Sequence, residues 1–152
     1  MIKSIRLKNF KCFSNFEVHF DRTVTYLNGM NGEGKSSIIE GIQLALLGYI
    51  PGHSKKLSDI FKFSSDKNYM SVSITFDNLG KDYTITRIYT NVKGKISCSV
   101  DKNDLQDLMS ILDEDLETPV FNFKEFIQWS ANKQKQWLLN FLQKSENTVT
   151  VN

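Results

Sequence analysis

Few backbone arrangements accommodate the run Gly29-Met30-Asn31-Gly32-Glu33-Gly34-Lys35-Ser36. It reads G-x-x-x-x-G-K-S, a spacing whose meaning depends on what flanks it. Thr23-Val24-Thr25-Tyr26-Leu27 is β-branched and aromatic and predicts a strand running into the glycines. Ser36 to Leu47 predicts a helix leaving them, with Ile38, Ile39, Ile42 and Leu46 on its apolar side and Gly48 as its C-terminal cap. Strand, glycine loop and helix in that order form a cradle for phosphate. Gly29 and Gly34 permit backbone angles and a close approach that a Cβ would block. Amide N–H groups from Gly32 to Ser36 converge on phosphate oxygens, and the helix adds its positive end. The candidate ligands of a nucleotide are therefore Asn31, Gly32, Glu33, Gly34, Lys35, Ser36 and Ser37. Lys35 is placed for the β and γ phosphates of ATP, Ser36 for Mg²⁺ and Ser37 for the α-phosphate. A glycine turn that binds nothing would match this spacing by chance in on the order of a few chains per thousand of this length. The flanking strand and helix make that coincidence rarer.

The rest of the chain supplies a sheet. Ile2 to Leu7 and Phe16 to Phe20 alternate apolar and polar residues, as half-buried strands do, and Asp21-Arg22 marks a turn. Tyr49 to Asn68 reads as loop with a short helix near Leu57 to Phe61. Tyr69 to Phe76, Tyr83 to Tyr89 and Ile96 to Val100 are strand-like, at hairpin spacings, and predict an antiparallel meander over residues 68–100. Leu105, Leu108, Ile111 and Leu112 recur at helical spacing, and Pro119 ends that region. A last helix is predicted from Ala131 to Gln143, with Trp137, Leu138, Phe141 and Leu142 on one stripe. Ser145 to Asn152 reads as a polar tail, which leaves residues 1–144 as one domain. The fold class is α/β: a mixed sheet with an antiparallel β-meander.

Bulk properties narrow the surroundings. A chain of 152 residues, 40% apolar and with eleven Phe, buries a real core. A net charge of +2 demands no polyanionic partner, though local basic patches remain open. Cys12 and Cys98 lie far apart without metal-ligand spacing, which fits reduced thiols. No apolar run reaches membrane-spanning length, and the alternating N-terminus has no hydrophobic signal core. A soluble, cytoplasmic protein without membrane partners is expected.

The wider stretch Asn28 to Ile42, with Ser36-Ser37-Ile38-Ile39-Glu40 following the loop, resembles the SMC, RecF and SbcC class of ABC-type DNA-repair ATPases. The opening strand and its Asn9-Phe10-Lys11 triplet resemble that class as well, as does Tyr83-Thr84-Ile85-Thr86-Arg87 in the meander. So does Phe126-Ile127-Gln128-Trp129-Ser130 before a basic amphipathic helix. The likeness runs from Met1 to about Leu142 and is densest up to Gly48. It implies a P-loop NTPase fold, the N-terminal half of an ABC-type ATPase head, and a place for Lys11 near the nucleotide. It also implies partners: a complementary C-terminal lobe carrying the signature motif and the Walker B carboxylates, a second head, DNA, and in some members a nuclease subunit.

Several residues imitate the missing parts. Leu108-Met109-Ser110-Ile111-Leu112-Asp113-Glu114 looks like a Walker B strand, but its apolar spacing continues that of a helix and it lies among Asp101, Asp104, Asp107 and Asp115. Ser130-Ala131-Asn132-Lys133-Gln134 lacks the glycines of a signature motif and reads as a capped helix start. The class has a Mg²⁺-sensing glutamine shortly before the position of Phe126; residues 120–125 offer only Asn122, and Gln128 comes late. His19 and His53 have no partner at ligand spacing. Lys55, Lys56, Lys62, Lys67, Lys93 and Lys95 are candidate DNA contacts or ordinary solvated lysines. Two functions follow: the ATP-binding lobe of a recombination or repair ATPase, or a stand-alone half-head that docks onto a partner ATPase and regulates it.

Overall fold

The computed structural model describes residues 1–22, 24–78, 80–102 and 126–147. The chain divides into two compact units, Met1–Leu116 and Glu117–Asn152. In the first, five strands form one sheet in the order β2-β1-β3-β4-β5. They are β1 (Ile2–Phe10), β2 (Phe13–His19), β3 (Tyr69–Asn78), β4 (Lys81–Val92) and β5 (Lys95–Lys102). Among the described residues the helices of this unit are α1 (Lys35–Leu47) and the single turn α2 (Leu57–Ile60), which runs into a 3-10 turn at Phe61–Phe63.

Alternation fixes the two faces of the sheet. Ile5 and Leu7 of β1 are fully buried while Arg6 and Lys8 between them are exposed. Register aligns Ile5 with Ile74 and Leu7 with Val72 on β3, and Ile74 with Ile85 on β4, so the apolar side chains share one face. The opposite face carries hydroxyls that pair across strands, Ser73 with Thr86 at 2.8 Å and Thr75 with Thr84 at 3.0 Å. The predicted meander is present as β3, β4 and β5, with Gly80 and Gly94 at φ 82° and 80° in its two turns.

Helix α1 packs on the apolar face through Ile38, Gly41, Leu44, Ala45 and Leu46. A Cβ on Gly41 would lie 2.6 Å from Leu7 Cδ2 and 3.5 Å from Ile5 Cδ1, so this glycine sets how closely helix and sheet approach. Gly41→Val is expected to destabilise the fold by about 1–3 kcal/mol through overpacking, read as a lower denaturant midpoint. The helix face differs from the sequence expectation at Ile39, which is 51% exposed. The close contact at Gly41 orients the helix, and Ile39 falls on its solvent side.

Gly48 ends α1 as predicted, at φ 82° with its N–H donating to Leu44 O at 3.0 Å. Arg87 of β4 completes that cap. Its Nε donates to Ala45 O at 2.8 Å and an Nη to Leu46 O at 3.0 Å. A cation at a helix C-terminus also meets the negative end of the dipole. Arg87→Ala is expected to cost roughly 1.5–3 kcal/mol, the range for hydrogen bonds to a charged group, measured by thermal unfolding.

Two expectations are corrected. The sheet is antiparallel at every pairing described, not mixed. The strand expected at Thr23 to Leu27 is absent from residues 24–27, which form no ladder. Strand propensity alone makes no strand without a neighbour to bond. Val24, Tyr26, Leu27 and Met30 are left 62%, 89%, 38% and 76% exposed.

In the second unit, α3 spans Ala131–Asn147, and residues 145–147, where the sequence predicts tail, continue the helix. Gln134 donates its backbone N–H to Ser130 O, at the predicted helix start. Phe126 packs edge-on against Trp129 and Trp137, and Lys133 lies 4.1 Å from the Trp129 ring centre. Leu138 is half exposed, and the side chains of Phe141 and Leu142 lie outside those described. The acidic run around Asp113-Glu114, the apolar set Leu105 to Leu112, and Asn122 lie outside the described residues.

Candidate phosphate-binding site

The glycine loop leads from the unpaired segment 24–28 directly into α1. Gly32 and Gly34 both adopt φ 90°, the left-handed region that a side chain disfavours. Gly34 is restricted twice, because a Cβ there would sit 2.6 Å from Phe13 Cζ and 2.8 Å from Cys12 Sγ. Gly29, expected to need special angles, lies outside that region, and a Cβ there would meet only the movable end of Glu33. The Glu33 carboxylate folds back to accept the Met30 N–H at 2.7 Å and so braces the tip of the loop.

Lys35 is the first residue of α1, and its ammonium returns over the loop. It donates to Gly29 O at 2.5 Å and to Met30 O at 2.6 Å. The charge is thus held inside the concavity of the loop. The helix N-terminus behind it has no side-chain cap, since its N-cap is Gly34, and no acidic residue in its first turn. An α-helix carries roughly half a positive charge at this end, with unsatisfied N–H groups pointing outward. Lysine and helix together present positive potential to one point in space, which is what an anion with several oxygens requires. Ser36 is exposed and Ser37 half-buried on the first turn. Asn31, Gly32 and Glu33 are exposed at the loop tip.

The other predicted residue, Lys11, lies on the β1–β2 turn, next to Cys12, against which a Cβ on Gly34 of the loop would sit. Asn9 and Lys11 both adopt φ 51°, a conformation asparagine tolerates better than most residues. The turn is tied down from behind. Lys11 N–H donates to Phe63 O at 2.7 Å, Ser65 N–H to Asn9 O at 2.9 Å, and Asn9 Nδ2 to Tyr69 O at 3.1 Å. The Lys11 ammonium pairs with the Glu40 carboxylate of α1 and lies 4.9 Å from the Phe63 ring centre. Lys11 is therefore tied through Glu40 to the helix that the phosphate loop opens. Sequence reasoning missed Glu40 as its partner, Phe13 and Cys12 as the wall behind Gly34, and Arg87 as the helix cap. Glu40 and Arg87 both sat in matched patterns, but their partners are 29 and 41–42 residues away.

Among the described residues no group of three or more His, Cys, Asp or Glu is arranged to hold a metal. Mg²⁺ fits this chemistry only through Ser36, because Mg²⁺ keeps most of its shell as water and substrate phosphate oxygens. His53 packs edge to face on Phe63, with ring centres 5.1 Å apart, and His19 lies 3.5 Å from Glu17 Oε1. Cys12 and Cys98 are free thiols. Among the described residues no helix is long and apolar enough to cross a membrane.

Sheet, phosphate-loop geometry and Asn-Phe-Lys turn together define a P-loop ATPase-type head of the N-terminal kind. The AAA domain family profile matches residues 4–151, so the chain belongs to that family, in the N-terminal region of its SMC/RecF/SbcC-like, ABC-type branch. The DNA double-strand break repair Rad50 ATPase of Archaeoglobus fulgidus is 38% identical over 87 residues, 57% of this chain and 10% of that protein. The SMC head domain from Thermotoga maritima superposes with a TM-score of 0.51 at 26% identity, over 74% of this chain and 41% of that one. The recombination mediator protein RecF in its RecF-ATPrS structure gives a TM-score of 0.55 at 26% identity, over 73% of this chain and 29% of that one. The chain spans about a tenth of the length of the Rad50 relative.

Proposed function

We propose that this chain is the ATP-binding N-terminal lobe of an SbcC/SMC-like ATPase acting in DNA recombination or repair. ATP is hydrolysed only when a C-terminal lobe completes the head. The observation that carries this reading is the Lys35 ammonium set in the loop concavity before an uncapped helix N-terminus. A relative solved as RecF-ATPrS and a double-strand break repair relative support the ligand and the setting. Lys35 and the loop amides neutralise phosphate charge, Ser36 offers a hydroxyl to Mg²⁺, and Lys11 stands at the flank. Calorimetric titration of the chain with ATP and Mg²⁺ tests this directly. An absence of saturable binding would overturn it.

The stand-alone half-head reading shares one supporting observation. Val24, Tyr26, Leu27 and Met30 are exposed, and Leu27 also lines a cavity of about 470 Å³ with Met1, Ile2, Phe20, Ile38 and Ile42 among others. Apolar surface of this kind suits a completing lobe, whether it follows in the same polypeptide or comes from a partner ATPase. A nuclease subunit is a further partner of the complete assembly.

DNA is proposed to meet the lysines after α1 and in the meander. Lys55 lies over the Tyr49 ring at 3.9 Å and Lys62 pairs with Asp59 at 2.7 Å, which leaves Lys56, Lys67, Lys93 and Lys95 as the other candidate cations. Each lysine that meets a duplex phosphate steepens the fall of log affinity with log salt by roughly 0.9. Gel-shift titrations with ATP and Mg²⁺ are expected to show binding at low salt that disappears as salt rises. No shift at low salt would remove DNA from this surface.

A further inference from the structure

Strand β5 forms one edge of the sheet, and among the described residues no strand pairs with its outer side. It runs from Lys95 to Lys102 without a proline, and its register with β4 holds without a shift. A straight edge of this kind presents a row of unpaired N–H and C=O groups, a template for another strand. The hairpin that makes β5 decides which residues carry that row. Lys93 and Gly94 form its two-residue turn, at φ 52° and 80°. Such a turn closes on a hydrogen-bonded pair, here Val92 and Lys95. Bonded and non-bonded pairs alternate from there, so Lys95, Ser97, Ser99 and Asp101 bond to β4. Ile96, Cys98 and Val100 turn their backbone groups to the open edge. Their side chains share the face of Tyr89, which stands opposite Cys98 and is buried. Lys95, Ser97, Ser99 and Asp101 lie on the other face, and all four are exposed.

A strand added here is specified by what it must match. If it is β5 of a second copy, it bonds through the same three positions. Antiparallel pairing about a two-fold axis at Cys98 achieves this: Cys98 faces Cys98, and Ile96 faces Val100. Val100, 41% exposed in the single chain, gains an apolar neighbour. On the other face the same register sets Lys95 opposite Asp101 and Ser97 opposite Ser99. The segment Lys95-Ile96-Ser97-Cys98-Ser99-Val100-Asp101 is thus complementary to its own reverse, in charge at its ends and in polarity at each step between. A slip by one residue is excluded, because it would align edge-facing groups with groups already bonded to β4. A slip by two keeps the bonding but loses the ion pairs, leaving Lys95 opposite Ser99 or Asp101 opposite Ser97. Edge lysines ordinarily repel a second strand; here the register gives Lys95 an acidic partner.

We propose that β5 pairs with β5 of a second copy of this chain in the register centred on Cys98, joining two sheets into one, with a Lys95–Asp101 ion pair at either end. The contact uses no residue of the phosphate loop, so it forms without nucleotide. Sedimentation of the full chain over a rising concentration series, with no nucleotide present, is expected to show a monomer–dimer equilibrium. Lys35→Ala should dimerise as the wild type does. Asp101→Lys sets like charges opposite each other twice per dimer and is expected to weaken dimerisation by roughly tenfold. Lys95→Asp should do the same. The double variant Lys95→Asp/Asp101→Lys restores both opposite-charge pairs and is expected to regain the wild-type dimerisation constant, which separates the charge contact from any loss of folding. Cys98 is a free thiol, and bonded antiparallel partners stand about 5.5 Å apart at Cα. In a Cys12→Ser background a short bismaleimide is therefore expected to link Cys98 to Cys98, less in Asp101→Lys and fully again in the double variant. A chain that stays monomeric at every concentration overturns the proposal. So does a dimer that Asp101→Lys leaves intact, or one that the charge exchange does not rescue.

Discussion

Replacing Lys35 with alanine is expected to weaken Mg²⁺-ATP binding by roughly tenfold to a hundredfold. The estimate follows from the worth of a hydrogen bond to a charged group, about 1.5–3 kcal/mol, at 1.4 kcal/mol per factor of ten. The ammonium contributes in two ways. It offers charge-assisted donors to phosphate oxygens, and it already bridges Gly29 O and Met30 O, which holds the loop in its curve. Alanine removes both while remaining a good first-turn residue, so α1 itself should persist and circular dichroism should not change. Lys35→Arg restores charge but not the compact point donor and is expected to recover binding only in part. Ser36→Ala should act differently, reducing the Mg²⁺ dependence of binding more than binding itself. Gly34→Ala is expected to match or exceed the lysine variant, because it would place a Cβ 2.6 Å from the Phe13 ring in a left-handed backbone. Equal ATP affinity for wild type and Lys35→Ala in calorimetry would refute the role given to this lysine.

How far the fold was legible depended on the range of the interactions that decide each part. The meander was readable because its signals are local: alternation over Tyr69 to Phe76 and Tyr83 to Tyr89, with turn residues at Gly80 and Gly94. Helix α1 was readable for the same reason, from apolar spacing to the glycine that stops it. The segment 24–27 misled because its β-branched and aromatic residues report fitness for a strand, whereas a strand exists only with a ladder partner, and none is present among the described residues. Ile39 misled because the helix face is chosen by the tight contact of Gly41 with Leu7, which periodicity does not register. At the candidate site, the loop spacing singles out Gly34, Lys35 and Ser36 from local residues alone. Lys11 was reachable only through family likeness. Its ion pair with Glu40 and the Arg87 cap of α1 join residues remote in sequence, and one chain read alone gives no signal for such pairs.

The purified chain is expected to bind ATP and release almost no phosphate, and a separately supplied C-terminal lobe is expected to raise both turnover and melting temperature. A P-loop positions and neutralises phosphates, but hydrolysis also needs a group that orients the attacking water and a second clamp on the developing charge. Such a clamp supplied in trans is worth roughly a thousandfold or more in rate. The loop, Lys35 and Ser36 provide neither the water-orienting group nor the second clamp. The predicted rise in stability comes from the same encounter. Val24, Tyr26, Leu27 and Met30 lie exposed along a stretch that forms no ladder among the described residues, and Leu27 also lines a cavity with Ile38 and Ile42 of α1. Each large apolar side chain fully covered there contributes about 1.5–3 kcal/mol, and a strand laid against residues 24–27 would satisfy their backbone groups. Rate and stability should therefore rise together with added lobe and saturate at the same ratio. The decisive comparison is phosphate release by the chain alone, by the reconstituted pair, and by Lys35→Ala, Asp113→Asn and Glu114→Gln in each setting. Lys35→Ala should silence the pair, while the two acidic substitutions should leave it unchanged. Robust turnover by the chain alone that vanishes in Asp113→Asn and Glu114→Gln would instead identify that pair as the water-activating carboxylates.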